Sequence, residues 1–311
     1  MPEAPCEVGL VHVVCPLCGA DDARVCWDTD FGADATPLDE YFRCTNTHYG
    51  RFGRIVRCRA CGMMYRDPQE EDPLTAYAAT ADEDYLGEWP ARQATFERSL
   101  RQLHRFVRPP GELLDVGCST GFFLRVARDA GWHAVGLEPS HWAVAHAQAE
   151  GLEVLQGTLD SHPFRPGQFD VVTLWDVIEH VRDLRQTLAA ARELLRPGGV
   201  LALTTMDVYS PIARVMGARW PHLMRMHLWY FGRRHMSRLL QEAGFESPHI
   251  APHVRVLSAD YLASRLEFLS GSLARAAQAA RALARGARLG QAQVPIRMGD
   301  LVAYYARKPA E

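Results

Sequence analysis

Residues 111–138, GELLDVGCSTGFFLRVARDAGWHAVGLE, decide the fold class of this chain. They contain two short apolar runs, 113–116 and 134–137, separated by a glycine-containing turn and a segment with helical spacing. Gly131 ends that segment, and the acidic Glu138 follows the second run. This pattern predicts a strand, a turn, a helix and a second strand, which together form one βαβ unit.

The turn has the residues that a nucleotide-type ligand needs. Gly117 and Gly121 have no Cβ, so a ligand can approach their backbone closely. The helix that follows presents unpaired N–H groups to a carboxylate or phosphate. Glu138 is predicted at the end of the second strand, where a carboxylate can accept hydrogen bonds from both hydroxyls of a ribose.

The spacing D-x-G-x-x-x-G resembles motif I of the class I S-adenosylmethionine (SAM)-dependent methyltransferases, which is usually written [DE]-x-G-x-G-x-G. Ser119 takes the place of the middle glycine, and its small side chain fits such a turn. The resemblance implies that SAM is the cofactor. The SAM-binding residues it implies around this turn are Asp115, Gly117, Ser119, Gly121, Phe122 and Glu138.

Two further signatures of the family follow in the family's order. The fourth strand, FDVVTLW at 169–175, continues into DVIEHV, and LRPGGVL at 195–201 leads into the fifth strand. We expect Trp175 and Asp176 to face the methionine end of SAM, and Asp160 to contact the adenine or to act as a cap or loop residue. The resemblance implies an α/β, Rossmann-like sheet of seven strands whose last pair, roughly 246–256 and 300–306, is antiparallel. Helical spacing predicts helices at 91–107, 122–130, 140–149, 183–196 and 234–243.

Two copies of C-x-x-C-G, at 15–19 and 58–62, indicate a small zinc-ribbon-like module at the N-terminus. We predict that Cys15, Cys18, Cys58 and Cys61 bind a structural Zn²⁺; unligated thiols or redox pairs are the alternatives. Each glycine allows a positive φ, so that turn N–H groups can point at sulfur. The spare candidate ligands are Cys6, Cys26, Cys44 and His48. Residues 41–43 and 53–57 are expected to pair as strands.

Charge and composition narrow the function classes. The net charge of −3 and the pI of about 6.5 provide no global basic field for nucleic acid. The eight cysteines favour metal binding or free thiols. The first residues, MPEAPCEVGL, do not have the pattern of a signal peptide, and no run of 18 apolar residues predicts a membrane span. We therefore expect a cytoplasmic protein.

The predicted organisation has three parts: the cysteine module at 1–70, a linker and pre-core helix at 71–110, and the SAM-binding domain at 111–311. In many methyltransferases the pre-core segment covers the SAM pocket, so Tyr85 is either a lid residue or a packed surface tyrosine. Residues 207–231 are the expected substrate lid. The arginine-rich segment 261–289 is either a contact for a membrane or an acidic partner, or a solvated face.

The segment His227-Leu228-Trp229-Tyr230-Phe231, followed by a helix and Gly244-Phe245, resembles a bacterial methyltransferase subfamily that also has the cysteine knuckles. Its layout is similar to that of deoxysugar C-methyltransferases, in which a related E-H segment supplies the general base. Met226 replaces that glutamate here. The resemblance implies His227 as general base, with His180 as a second candidate and His222 as a rival. The alternative is that His227 only anchors the lid.

The expected activity is SAM-dependent O- or C-methylation of a small molecule or of a glycan or natural-product intermediate. One alternative is an RNA methyltransferase that uses the cysteine module for docking. Another is a non-catalytic zinc adaptor with a vestigial SAM fold. The near-neutral charge argues against the first alternative, and intact Asp115, Gly117, Gly121 and Glu138 argue against the second.

Overall fold

The computed structural model of this chain describes residues 9–29, 38–43, 52–266, 290 and 292–310. Three of the spare metal-ligand candidates, Cys6, Cys44 and His48, lie outside these ranges. The arginine-rich segment 261–289 is described only at its beginning, as the end of a helix that runs from Ala259 to Leu266. No helix in the described ranges is long and apolar enough to span a membrane.

A seven-stranded sheet forms the centre of the molecule. Its strands are β6 (Glu112–Val116), β7 (His133–Glu138), β8 (Glu153–Gln156), β9 (Phe169–Trp175), β10 (Leu195–Met206), β12 (His249–Pro252) and β15 (Leu301–Arg307). Their order across the sheet is β12-β15-β10-β9-β6-β7-β8. The five strands from β6 to β10 are parallel, and β15 inserts antiparallel between β10 and β12. The predicted Rossmann-like sheet with an antiparallel final pair is confirmed.

The helices lie close to the predicted positions because their apolar spacing matches the faces that they bury. β9 is buried along its whole length, as expected for a strand covered on both faces. The helices are α1 (Leu38–Tyr41), α2 (Pro73–Ala78), α3 (Glu83–Gly87), α4 (Trp89–Leu103), α5 (Phe122–Asp129), α6 (His141–Ala149), α7 (Leu184–Leu194), α8 (Pro211–Met216), α9 (Arg233–Glu242) and α10 (Ala259–Leu266). Helix α4 begins two residues earlier than predicted and ends at Leu103, so Val107 lies beyond it.

The cysteine module contributes a second sheet of four strands, in the order β11-β4-β3-β2. These strands are β2 (Ala23–Trp27), β3 (Ile55–Cys58), β4 (Met64–Arg66) and β11 (Trp229–Tyr230). The prediction that residues 41–43 pair with 53–57 is wrong. Tyr41 ends helix α1, and β3 pairs with β2 and β4 instead. Strand β1 (Leu10–Val11) pairs with β5 (Gln69–Glu70) through two residue pairs.

Strand β11 belongs to the segment predicted as the substrate lid, so this segment is part of the sheet of the cysteine module. Tyr65, in β4, and Trp229 lie in the same hydrophobic cluster as residues of the central sheet. Glu70, the last residue of the predicted cysteine module, is buried and forms an ion pair with Arg66. The apolar core is therefore continuous between the module and the central sheet.

Near the C-terminus the predicted strand 246–256 is divided in two. β12 ends at Pro252, and the next strand, β13 (Arg255–Ser258), pairs with β14 (Gln293–Ile296) in a separate two-stranded sheet. The chain leaves β15 at this point, although His253 N still donates a hydrogen bond to Leu301 O at 3.0 Å. This division places His253 and Arg255 close to the end of β9, as described next.

Candidate active site

The turn between β6 and α5 has the left-handed backbone that its glycines predict. Gly117, Ser119 and Gly121 have φ values of 67°, 50° and 80°. A Cβ on Gly117 would lie 2.6 Å from Val177 Cγ2, and a Cβ on Gly121 would lie 2.3 Å from Leu152 Cδ1. Both positions therefore require glycine for conformation and for space.

Glu138 lies at the carboxyl end of β7, where the sequence predicts a ribose ligand. Its side chain is fully buried. Oε2 accepts a hydrogen bond from Ser119 N and Oε1 accepts one from Ser140 N, both at 2.8 Å. Burial raises the pKa of Glu138, and these two backbone donors act in the opposite direction. The carboxylate therefore holds the motif I turn, and its contact with the ribose stays a prediction.

Asp115, the first residue of the motif, lies beneath the same turn. Its carboxylate is buried, and Oδ1 accepts a hydrogen bond from Thr173 Oγ1 at 2.6 Å. Burial raises its pKa to about 8; the hydrogen bond from Thr173 opposes this shift, and the charge of Glu138 adds to it. Asp115 thus joins β6 to β9 at the level of the turn.

The pre-core segment covers this site. Tyr77, on α2, gives a side-chain hydrogen bond to Glu138, and Ser140 Oγ donates to Thr80 O at 3.0 Å. The ring of Tyr85 stacks on Phe122, the first residue of α5, with ring centroids 5.1 Å apart. Tyr85 is buried, so its position is that of a covering residue of the turn rather than of a surface tyrosine.

The remaining predicted cofactor residues lie along the same sheet edge or beside it. Trp175 ends β9 and packs its ring edge-on against Phe123, with its Nε1 unpaired in the described structure. Asp176 follows with a φ of 56° and accepts a hydrogen bond from Thr204 Oγ1 at 2.9 Å. Asp160 is exposed in the loop after β8, and its adenine role stays a prediction.

The two predicted base candidates, His180 and His227, lie next to each other. Their ring centroids are 4.8 Å apart, with the rings nearly edge to face. His180 Nδ1 donates to Met226 O at 3.0 Å, and His227 Nδ1 donates to His222 O at 2.8 Å. A backbone carbonyl can only accept, so the proton of each neutral ring lies on Nδ1 and the lone pair on Nε2.

Burial sets the protonation of this region. It holds the pKa of His227 well below 6.5, and the neighbouring His180 and His222 lower it further. It also raises the pKa of Glu179 to about 8, with a second contribution from the charge of Asp176. For Asp176, burial acts to raise the pKa, but Arg255, His253 and the hydrogen bond from Thr204 together outweigh it and the pKa is lowered. Near neutral pH the two histidines are therefore uncharged bases beside an ion-paired carboxylate.

The four knuckle cysteines converge as predicted. Cys15 Sγ lies 3.5 Å from Cys61 Sγ, and Cys18 Sγ lies 3.6 Å from Cys58 Sγ. All four sulfurs lie within 4.8 Å of one another. Two sulfurs on a tetrahedral Zn²⁺ with bonds of about 2.3 Å are about 3.8 Å apart. The spacing of this cluster fits a Zn²⁺ ion.

The backbone conformation of the two cysteine knuckles also suits a Zn²⁺ site. Gly19 and Gly62 have φ values of 72° and 85°, and their N–H groups donate to Cys15 O and Cys58 O. Burial acts to raise the pKa of Cys58, but hydrogen bonds from Cys61 N and the Cys18 thiol help to lower it to about 7. A thiol poised to ionise favours metal binding. Cys26 lies on β2, outside this cluster.

Comparison with known proteins identifies the family. A family described as "Methyltransferase domain" matches residues 91–250, which is half of the chain and includes the motif I turn, Glu138 and His180. The chain belongs to this methyltransferase family. The α/β sheet and the motif I turn make residues 91–250 a class I SAM-dependent methyltransferase domain.

Several curated proteins resemble the methyltransferase domain. The ubiquinone biosynthesis O-methyltransferase of Escherichia coli is 34% identical over 124 residues, covering 37% of this chain and 51% of that protein. A probable S-adenosylmethionine-dependent methyltransferase of Mycolicibacterium smegmatis is 30% identical over 139 residues, covering 43% and 52% of the two chains. The chain thus spans about half the length of these relatives.

Among solved structures, a SAM-dependent methyltransferase from Archaeoglobus fulgidus matches 73% of this chain and 100% of its own chain. The sequence identity is 15% and the TM-score is 0.50. At this identity the comparison supports the fold alone.

Sequence reasoning missed several residues of this methyltransferase site. Thr173, Thr204 and Tyr77 hold the carboxylates of Asp115, Asp176 and Glu138, and Arg255 forms an ion pair with Asp176. Thr173 and Thr204 interrupt otherwise apolar strands, which is a signal that the sequence did provide. The sequence around Arg255 gives no such signal, because Arg255 reaches Asp176 only through the division of the strand after Pro252.

Proposed function

We propose that this protein transfers a methyl group from SAM to an oxygen or carbon atom of a small molecule or of a glycan or natural-product intermediate, with a histidine as general base. One observation carries the proposal: two uncharged histidines, His180 and His227, lie together in the loops that follow the SAM-binding strands. The relatives named for O-methylation in ubiquinone biosynthesis favour an oxygen acceptor.

The cofactor residues of the proposal are those that the motif predicts. The turn at 117–121 offers its backbone, Glu138 offers a carboxylate for the ribose, and Trp175 and Asp176 border the methionine end. Bound SAM supplies an electrophilic methyl group on a sulfonium. This chain contributes alignment of the acceptor with that methyl group and removal of the acceptor's proton.

His227 is the proposed base, and His180 packs against its ring. The bond from His227 Nδ1 to His222 O leaves Nε2 free to accept the acceptor's proton as the new bond to the methyl carbon forms. The lowered pKa keeps this nitrogen unprotonated near neutral pH. The same arrangement serves a hydroxyl or an activated carbon acid.

The first test is methyl transfer from labelled SAM to a panel of phenols, catechols and sugar hydroxyls, followed by the H227A variant. We expect that variant to lose roughly 10²- to 10⁴-fold in turnover while retaining SAM affinity. His249, an exposed histidine on β12, provides the matched control as H249A. Normal turnover by H227A would refute the base assignment. Labelling of RNA and of none of the small molecules would favour the RNA alternative.

We also propose that Cys15, Cys18, Cys58 and Cys61 hold a structural Zn²⁺. The sulfur spacing and the positive-φ glycines support this assignment. A module of this size buries little apolar surface by itself, so the ion would supply much of its folding free energy. Metal analysis of protein purified without chelator should give one Zn²⁺ per chain, and a metal-free folded module would refute the assignment.

A further inference from the structure

Glu179 joins the two histidines of the proposed acceptor site. One potential ligand atom from each of Glu179, His180 and His227 lies within 4.8 Å of the other two. The three residues come from two distant segments, which meet where Leu228 N donates to Glu179 O at 2.9 Å. Glu179 and His227 are only 1% and 5% exposed, so this is a built, interior cluster and not a surface patch.

The carboxylate of Glu179 is incompletely paired. Its Oε2 is buried and has no hydrogen-bond partner in the part of the chain that the structure describes. A buried carboxyl oxygen without a partner is costly, whether the group is ionised or protonated, unless a cation or another polar group reaches it. The neighbouring Asp176, by contrast, is satisfied by Arg255 and Thr204. Glu179 has hydrogen bonds from its own backbone N–H and from Thr205, and these leave Oε2 without a partner.

The histidines are oriented as metal ligands usually are. Each donates Nδ1–H to a backbone carbonyl, His180 to Met226 O and His227 to His222 O. Such a bond fixes the ring and directs the Nε2 lone pair away from it, which is the common arrangement behind a ligating imidazole. Ligand atoms on opposite sides of one ion are about 4.2 Å apart when each metal–ligand bond is about 2.1 Å. The three ligand atoms lie within 4.8 Å of one another, so each would move by well under about 1 Å to coordinate a common ion.

We propose that Glu179, His180 and His227 bind a divalent first-row transition-metal cation, and that its open positions receive the acceptor hydroxyl. Two imidazoles and one carboxylate form a ligand set that leaves such positions free. This ligand set has harder donors than the four thiolates of the cysteine cluster, so it accepts Mn²⁺ and Fe²⁺ as well as Zn²⁺.

This inference rests on the proposed methyl transfer and changes the role of His227 in it. A hydroxyl bound to the cation loses its proton to solvent more readily. Its oxygen then forms the bond to the methyl carbon as the sulfonium carbon–sulfur bond breaks, and the sulfonium becomes a neutral thioether. In this form Nε2 of His227 is a ligand, so the cation takes over the task proposed above for the free imidazole.

The test is Mn²⁺ titration of the full-length protein, followed by electron paramagnetic resonance, with zinc left in the cysteine cluster. We expect one tightly bound Mn²⁺ per chain with nitrogen coupling from imidazole. Binding should be lost in E179Q and in H180A and retained in H249A. Far-ultraviolet circular dichroism and SAM calorimetry check that each variant is folded.

The wild-type protein alone keeps the proposal falsifiable. If it binds no Mn²⁺ at millimolar concentration, or if bound Mn²⁺ shows no nitrogen coupling, the cation site is refuted even if the variants fail to fold. Full methyl transfer by protein that holds only one Zn²⁺ per chain, lost on replacement of the cysteine ligands, would likewise refute it, while leaving the proposed function intact. Mn²⁺ binding in a protein that never binds SAM would instead support the site and refute the proposed function.

Discussion

Replacing Glu138 should separate the structural role of this carboxylate from its role toward the cofactor. Its two oxygens accept hydrogen bonds from Ser119 N and Ser140 N at 2.8 Å, inside a fully buried site. Alanine removes both acceptors. Glutamine keeps one carbonyl oxygen and turns an amide N–H₂ toward the other donor. E138A therefore removes both backbone hydrogen bonds and the hydrogen bond from Tyr77, whereas E138Q removes one backbone hydrogen bond.

The expected magnitudes follow from that count. A buried N–H left without an acceptor costs about 1–3 kcal/mol, so E138A should lower the free energy of unfolding by about 2–6 kcal/mol and E138Q by about half as much. Loss of the ribose contacts should weaken SAM binding by about 2 kcal/mol, or about 30-fold in Kd. Stability should thus decrease in the order wild type, E138Q, E138A.

Urea unfolding and calorimetric titration with SAM measure the two effects. The matched control is E112Q, which changes a partly exposed glutamate on β6 whose partner is His133. We expect this control to shift the unfolding free energy by less than about 0.5 kcal/mol. SAM affinity within twofold of wild type for a folded E138A protein would refute the ribose assignment. Equal stability of E138A and wild type would refute the role of the carboxylate in holding the turn.

Three other variants test the surrounding structure. G121A should destabilise the domain by about 1–3 kcal/mol in urea unfolding, because a Cβ there meets Leu152 and φ is 80°, and wild-type stability would contradict this. C58S should lose Zn²⁺ in metal analysis and most of its turnover, yet keep its SAM affinity in calorimetry. Unchanged turnover in zinc-free protein would contradict the expectation that the cysteine module positions the proposed acceptor site. D115N should gain stability relative to wild type as the pH rises from 5 to 8. The pKa of Asp115 is about 8 in the folded protein, so the folded protein keeps this proton, whereas the unfolded chain releases it above about pH 4; the stability of wild type therefore falls over this range. If urea unfolding gave the same difference in unfolding free energy between D115N and wild type at pH 5 and at pH 8, this expectation would be contradicted.

The parts of the fold that the sequence predicts well are those governed by local pattern. The fully buried run 169–175 is β9, with the predicted bounds. The glycines of the motif I turn adopt positive φ because no other residue fits there as easily. Each cysteine knuckle forms as a local turn with its own glycine and its own backbone bond, and the pairing of β2 with β3 then brings the two knuckles together. In each case the sequence pattern that predicts the feature lies within a few residues along the chain.

The residues that sequence reasoning missed depend on contacts between distant segments. Arg255 reaches Asp176 across 79 positions, and only the division of the chain after Pro252 places it there. The run DVIEHV likewise does not predict that Oε2 of Glu179 lacks a hydrogen-bond partner, because this depends on burial by other elements. The assignment of residues 41–43 to a strand failed because β3 takes β2 and β4 as partners and Tyr41 ends helix α1.

The position of Leu228 connects the cysteine module to the proposed acceptor site. Leu228 O accepts a hydrogen bond from Arg66 N in the module, and Leu228 N donates to Glu179 O in the loop after β9, each at 2.9 Å. His227 precedes this bridge directly, and β11 follows it in the sheet of the module. The motif I turn follows β6 and Glu138 ends β7, and these two strands pair with no described strand of the module. We therefore expect disruption of the module to displace His227 from Glu179 while leaving the predicted cofactor residues in place. On the proposed function, the cysteines would then act on methyl transfer through backbone position and not through contact with the acceptor.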